Sequence, residues 1–358
     1  MEEKASKQSK KVSKSSARFV VVNESHIGQR IDNFLMRELK DVPRSYVYRI
    51  LRKGEVRVNK KRIKPVYKLQ DGDSVRIPPV FLPDKQPINI APASLLEEIK
   101  ASIILEDEDI IFINKPSGLA VHGGSGVRYG LIESFRQLRT DLPFIELVHR
   151  LDKETSGIVM LAKNRQTLLQ LHEMMKQGAF NKYYQTLIKG EWSSGTRTIK
   201  NQLQRQQGRR QKVQVVAFDD EQAENNLASN HNGKARKTKN SKNKIGKESI
   251  SIFSPIQVYK GFTLMKVELL TGRTHQIRAQ LADLNHPVIG DSQYGDFSLN
   301  REVKKQFALK RLFLHAYHLE FTLAKSGKVY NCKIPLAEDL TQVIKSLNLG
   351  GCPRTNKE

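Results

Sequence analysis

Pro78, Pro79, Pro83, Pro87 and Pro92 crowd one short stretch, and neither a helix nor a central strand can run through it. Proline lacks a backbone N–H and fixes its own φ, so the stretch reads as a semi-rigid spacer between parts that fold separately. The length of 358 residues agrees with such a division, because a single hydrophobic core stops growing near about 250 to 300 residues. The sequence therefore predicts one domain over residues 19–78 and a second over 99–346, joined by a linker over 79–98. Residues 1–18 carry Lys4, Lys7, Lys10, Lys11 and Lys14 with little to bury, and read as a disordered basic tail. Residues 347–358 read as a C-terminal tail. From Asp219 to Glu248 an acidic start gives way to Asn, Ser and Lys with few apolar residues, so 219–248 is expected to be a disordered insertion in the second domain.

The smaller domain opens on a strand near Phe19 to Val22. Ile31, Phe34, Leu35 and Leu39 then follow at helical spacing, and a second helix carries Val47, Ile50 and Leu51 before Gly54 stops it. A strand near Val56 and another from Ser74 to Ile77, introduced by the turn Asp71-Gly72-Asp73, complete the unit. The larger domain mixes short β-branched runs, such as Ile110 to Ile113 and Ile158 to Leu161, with helices. One is capped by Asn164 and presents Leu168, Leu171 and Met175; the other begins near Thr274 with Ile277, Leu281 and Leu284. That mixture indicates an α+β fold.

Charge narrows the function. Lys and Arg number 61 against 37 Asp and Glu, a net +24, and an excess of this size favours a polyanionic partner because each neutralised phosphate releases counterions. No apolar run approaches the ~18 residues that cross a bilayer, and the opening MEEKASKQSKKVSKSSA lacks the apolar centre of a signal peptide. Neither membrane insertion nor secretion is expected, and the expected compartment is the cytoplasm. Cys332 and Cys352 belong to no Cys-x-x-Cys or Cys/His cluster, which argues against disulfide scaffolds and structural zinc. In the smaller domain Arg44, Arg49, Arg52 and Lys53 precede Lys60, Lys61 and Arg62 with few acidic residues between them. A solvated charged face would look similar, but the shortage of interleaved acids favours RNA binding. Gln29 to Leu35, Arg44-Ser45, Gly54 to Asn59 and Asp71-Gly72-Asp73, taken in order, resemble the small RNA-binding domain named after ribosomal protein S-four, over residues 28–78.

In the larger domain the apolar run Phe144 to Val148 leads into His149-Arg150-Leu151-Asp152-Lys153-Glu154-Thr155-Ser156-Gly157 and then into Ile158 to Leu161. Asp152 thus lies in a loop between two buried strands, where polar groups persist only if hydrogen bonds or function compensate their desolvation. The same residues would also form a tight turn in which Asp152 and Thr155 bond their own backbone. Thr271 to Arg278 is again a strand end, a turn and a helix start, and Arg278 sits at the edge of the buried stripe. An arginine there needs an anion, and pairing with Asp152 would hold that carboxylate ionised and oriented, as a nucleophile or base requires. His149 and His275 each precede such a residue and are expected to orient backbone. His122-Gly123-Gly124 lacks the nucleophile elbow of an acyl hydrolase, the nearby glycines lack the Lys of a P-loop, and His315 and His318 lack further metal ligands.

HRLDKETSG resembles the signature of the RluA-type pseudouridine synthases, and THQIR resembles their third motif. Asn114 to Gly126 and Arg311 to Ala316 resemble the branch that modifies large-subunit ribosomal RNA; with the S-four module the likeness spans residues 18–346. The basic tail and the 219–248 insertion depart from it. The resemblance implies a catalytic domain built on a central mixed, largely antiparallel sheet with an active-site cleft. It further implies Asp152 as the catalytic aspartate, Arg150 entering the RNA stack vacated by a flipped uridine, and Arg278 as the salt-bridge partner of Asp152. Tyr184, next to Tyr183, corresponds to the tyrosine that lies against the base and is a candidate acceptor of the C5 proton. The implied reaction isomerises uridine in 23S rRNA or its assembly intermediates, by a monomer, with no cofactor, no metal and no membrane partner. Alternatives are a relative acting on other rRNA or tRNA uridines, or a non-enzymatic ribosome-assembly factor. Asp152 separates the last from an enzyme, since a carboxylate in a basic cleft would only repel phosphate in a pure binder.

Overall fold

The computed structural model describes residues 13–14, 16–39, 42, 44–79, 81–82, 90–123, 129–206, 212–216 and 246–350. The tail over 1–12, the linker over 83–89, the insertion from 219 to 245 and the end of the chain from 351 lie outside the described residues.

The smaller unit holds β1 (Ser13–Lys14), β2 (Arg18–Val21), α1 (Ile31–Glu38), α2 (Arg44–Lys53), β3 (Arg57–Val58), β4 (Ser74–Ile77) and β5 (Phe81–Leu82). Strands β2, β4 and β3 form an antiparallel sheet in that order. Phe34, Leu35, Val47 and Ile50 close the helix pair against Val56, Val58 and Val75, all buried. β1 pairs with β5, so the ordered chain begins before residue 19 and continues beyond 78.

The larger unit begins with α3 (Ala93–Ala101), β6 (Ile103–Glu106), β7 (Ile110–Lys115), α4 (Leu131–Leu138), β8 (Glu146–Leu147), β9 (Ser156–Ala162), α5 (Arg165–Lys176) and β10 (Asn181–Lys189). It continues with β11 (Arg197–Arg205), β12 (Val213–Val216), β13 (Lys247–Tyr259), β14 (Phe262–Leu269), α6 (Gln276–Asp283), α7 (Phe297–Phe307), β15 (Leu314–Thr322), β16 (Val329–Lys333) and α8 (Glu338–Asn348). One sheet runs β12-β11-β13-β14-β10-β15-β9-β7-β6, with β16 added to β15 and β8 to β9. Its pairings are antiparallel except for β15 with β9, so the expected mixed, largely antiparallel sheet is what the chain forms. Ile113, Val159, Leu161, Phe253, Met265 and Ile277 fill one face beneath α4 and α6; Phe112, Met160, Leu171 and Phe321 fill the other beneath α5.

Several expected boundaries move. The linker was expected to reach residue 98, but α3 starts at Ala93, directly after Pro92, because a helix needs no backbone N–H from the residue that opens it and Ile99 is fully buried in the core of the larger unit. The insertion was expected to reach Glu248, yet Lys247 and Glu248 already pair with β11. Leu347 is buried in α8, so the helix outlasts the expected domain end at 346. The two units touch where Arg165, opening α5, donates its Nε to the carbonyl of Ile27 at 2.9 Å.

The parallel junction is tight. Gly157 faces Ala316 across it with φ of 114°, and a Cβ there would stand 2.2 Å from the Ala316 carbonyl oxygen. Gly157→Ala must therefore strain the backbone and push β15 away, and is expected to destabilise the protein by at least ~1 to 3 kcal/mol in denaturant unfolding. A variant with the wild-type unfolding midpoint would contradict this packing.

Candidate active site

The loop before β9 is fastened along its length. The Nε2 of His149 accepts the Met160 N–H at 3.1 Å, which holds the start of the loop on β9; burial lowers the pKa of this imidazole to about 4, with Lys182 adding to the effect, so it stays neutral. Further on, the Lys115 ammonium, fully buried at the end of β7, donates to the carbonyls of Pro116, Leu119 and Lys153 at 2.9, 2.9 and 3.1 Å. Burial pulls Lys115 down to about 7, against the opposite pull of Asp152. Ser117 Oγ donates to the Glu154 carbonyl at 2.6 Å. At the far end Arg311 Nη1 donates to Ser156 Oγ at 2.7 Å, so the Ser156 hydroxyl gives its proton to His315 Nδ1 at 2.8 Å, and His315 Nε2–H donates to the Pro335 carbonyl at 3.0 Å. Burial brings His315 to about 4, consistent with the neutral ring this chain of donors requires.

From this frame the Asp152 side chain reaches into an open cleft of roughly 810 Å³, whose lining includes Arg150, Tyr184, Leu269, Arg273, His275, Arg278 and Leu314. Arg278 Nη1 lies 3.2 Å from Asp152 Oδ2, as the pairing of the two motifs predicts. The stronger grip of Arg278 is on a residue that pattern reading missed. Its Nε and Nη2 donate to Asp291 at 2.7 and 2.8 Å, and Asp291, sealed from solvent, also takes the N–H groups of Gln293 and Tyr294. Burial would raise the Asp291 carboxyl, but the Arg278 hydrogen bonds and charge hold it below the usual carboxylate range. The signal was present in the sequence: Asp291 follows the apolar pair Val288-Ile289, as Asp152 follows the run ending at Val148.

His275 does more than orient backbone. It adopts left-handed geometry (φ 54°) before α6, which costs a non-glycine residue about 1 kcal/mol or more, and places Nε2 3.8 Å from Asp152 Oδ2 and Nδ1 3.0 Å from the Tyr294 hydroxyl. Arg278 and His275 both approach Oδ2. Oδ1 accepts no hydrogen bond among the described residues, and the side chain keeps 25% of its exposure.

Alternation along β10 separates the two tyrosines. Tyr184 is buried in the cleft wall, whereas Tyr183 stacks on His318 at 5.0 Å beneath the Lys266 ammonium and lines no part of the cleft. Burial, reinforced by Asp152, raises the Tyr184 phenol above its ordinary value. Arg150 is exposed on the cleft wall. Arg44, Arg49, Arg52, Lys53, Lys60, Lys61 and Arg62 are all exposed on the smaller unit, where Arg62 bonds the Lys53 carbonyl at 2.6 Å and Arg49 covers the Tyr46 ring at 4.4 Å. None of these lines the cleft.

Comparison with known proteins places both units. Residues 109–283 match the RNA pseudouridylate synthase family, and residues 29–75 match the S4 domain. The chain is 40% identical to ribosomal large subunit pseudouridine synthase C of Pasteurella multocida, over 95% of this chain and 97% of the relative. It is 41% identical to the protein of the same name from Escherichia coli strain K12, over 93% and 97%. Among solved structures, human RNA pseudouridylate synthase domain containing 4 shares the fold, with a TM-score of 0.56 and 22% identity over 71% of this chain and 96% of that one.

Arg278→Ala removes the only side chain that hydrogen-bonds the Asp291 carboxylate among the described residues and leaves that carboxylate without a counter-charge inside the protein. The expected loss is ~3 to 5 kcal/mol of stability, read from denaturant unfolding, with turnover falling in parallel. Wild-type stability in this variant would rule out the structural role assigned to the Arg278 pair.

Proposed function

Because the chain belongs to the RNA pseudouridylate synthases, we propose that it isomerises uridine to pseudouridine in large-subunit ribosomal RNA and that Asp152 opens the glycosidic bond. One observation carries the reading: Asp152 is held at a single oxygen, by Arg278, while Oδ1 takes no hydrogen bond among the described residues, in a cleft whose lining includes Arg150, Arg273 and His275. A carboxylate so placed can either bond to the ribose C1′ or take a proton from C2′, and in both routes Arg278 fixes its direction. Uracil then detaches at N1, turns within the cleft and rejoins through C5. The reaction changes neither composition nor oxidation state, so it requires no cofactor.

A base inside a duplex cannot reach Asp152, so the target uridine must leave its stack. Arg150, exposed at the rim, occupies the vacated place, and the uracil ring lies against Tyr184 with Leu269 and Leu314 nearby. With its phenol held protonated, Tyr184 serves as a packing surface and hydroxyl donor, and the Asp152 carboxylate is the base that removes the C5 proton. Arg44, Arg49, Arg52, Lys53, Lys60, Lys61 and Arg62 hold backbone phosphates remote from the cleft, and the protein acts as a monomer in the cytoplasm. No helix among the described residues is long and apolar enough to cross a membrane.

Asp152→Asn keeps the shape but removes nucleophile and base, so turnover on unmodified 23S rRNA should vanish while RNA affinity stays equal or rises. Measurable turnover would sink the role of Asp152. Mapping of pseudouridine in rRNA from cells with and without the protein tests the substrate, and an unchanged large-subunit map would refute it. Deleting residues 1–78 should raise the RNA concentration needed for half-maximal rate with little change at saturation; inactivity at saturating RNA would show that the smaller domain helps to build the cleft.

A further inference from the structure

Strand β10 brings another cation beside the cleft. Lys182 stands two residues before Tyr184, and since side chains alternate along a strand the two share a face. It is half-buried and makes no hydrogen bond or ion pair among the described residues. Its charged surroundings are basic or neutral: Arg273 acts on it electrostatically, and Lys182 in turn acts on the neutral ring of His149. These neighbours belong to the two segments that wall the cleft, the loop carrying Arg150 and Asp152 and the turn carrying Arg273. On the strands flanking β10, Glu268 stands opposite Tyr183 and Glu320 opposite Asn181, one register position from Lys182, and the carboxylates around the cleft are engaged. Asp152 and Asp291 face Arg278, Glu154 takes the Ser292 hydroxyl at 3.2 Å, and Glu248 pairs with Lys200 at 3.0 Å.

An ammonium partly withdrawn from water beside a guanidinium is unfavourable unless an anion joins them. Arg273 is prepared for one: it is exposed, and its Nε donates to the Glu248 carbonyl at 2.8 Å, which fixes the guanidinium. We infer that Lys182 and Arg273 form a subsite for one backbone phosphate of the RNA, adjoining the nucleotide whose base enters the cleft. This rests on the reading of the cleft as a uridine site. A nucleotide that swings its base onto Tyr184 leaves its phosphates at the rim, and Lys182, on the same strand face, meets one of them.

The test uses the full-length protein and an unmodified 23S rRNA transcript, with equilibrium binding measured across a salt series and turnover followed separately. Lys182→Gln and Arg273→Gln should each weaken binding roughly tenfold at low salt. Each should also flatten the slope of log affinity against log salt by about one, the contribution of one phosphate contact. The double variant should lose little more than either single one, because both residues hold the same phosphate. Lys182→Arg should restore affinity, and the loss in Lys182→Gln should fall on the RNA concentration needed for half-maximal rate more than on the rate at saturating RNA. Lys182→Gln should melt at or above the wild-type temperature, since it removes an unpaired cation rather than a structural contact. The inference is overturned by unchanged affinity and slope in Lys182→Gln, by losses that multiply in the double variant, or by a loss confined to the saturated rate. If the variants showed these binding effects while the wild-type protein failed to isomerise uridine, the enzymatic reading would fall and the phosphate subsite would stand.

Discussion

Asp291 has no access to water, and a carboxylate in that position persists only if a counter-charge and directed hydrogen bonds replace the lost solvent. Arg278 supplies two of those bonds and thereby loses its own freedom to rotate. Its remaining donor, Nη1, points to Asp152 Oδ2 at 3.2 Å, so the orientation of the Asp152 carboxylate is inherited from an ion pair lying behind it. One arginine between two acids carries one positive charge against two negative ones. Only the outer acid retains exposure, and its second oxygen remains available for chemistry.

The other side of the cleft follows a similar logic with backbone and hydroxyl partners. Lys115, Ser117, His149 and the chain Arg311-Ser156-His315 each bind a different point of the loop that bears Asp152. Two of these groups are histidines kept neutral by burial, so they hold backbone and hydroxyl partners without bringing further charge to the site. Loops that carry catalytic groups gain accuracy from such fastening, because a displacement of about 1 Å can lower a rate a hundredfold.

Much of this was legible in the chain. Strand alternation distinguishes Tyr184 from Tyr183, and the pairing of Asp152 with Arg278 follows from two motifs that each end a buried strand. Asp291 could have been read by the same rule. Lys115, Ser156, Arg311 and His315 could not, since nothing local to any of them says that β15 will lie between β9 and β10. The start of α3 was hidden for a different reason: Pro92 terminates strands and linkers as readily as it opens a helix, and only the burial of Ile99 decides between them. The raised pKa of the Tyr184 phenol comes from its burial and from Asp152, surroundings that residue type alone does not tell.

The sheet order has a consequence for the timing of assembly. β15 is among the last strands to be made, yet it joins the half containing β9, β7 and β6 to the half containing β10, β14 and β13. Its contacts with β9 span a sequence separation of 159 residues at Ser156 and His315, and contacts that distant form late because long loops must close first. Until ribosomes have released the C-terminal part of the chain, Ser156 has neither Arg311 nor His315, and the loop bearing Asp152 lacks the anchor at its far end. Catalytic competence is thus confined to finished molecules, and a nascent chain emerging beside ribosomal RNA carries the RNA-binding domain at its front without a completed active site behind it.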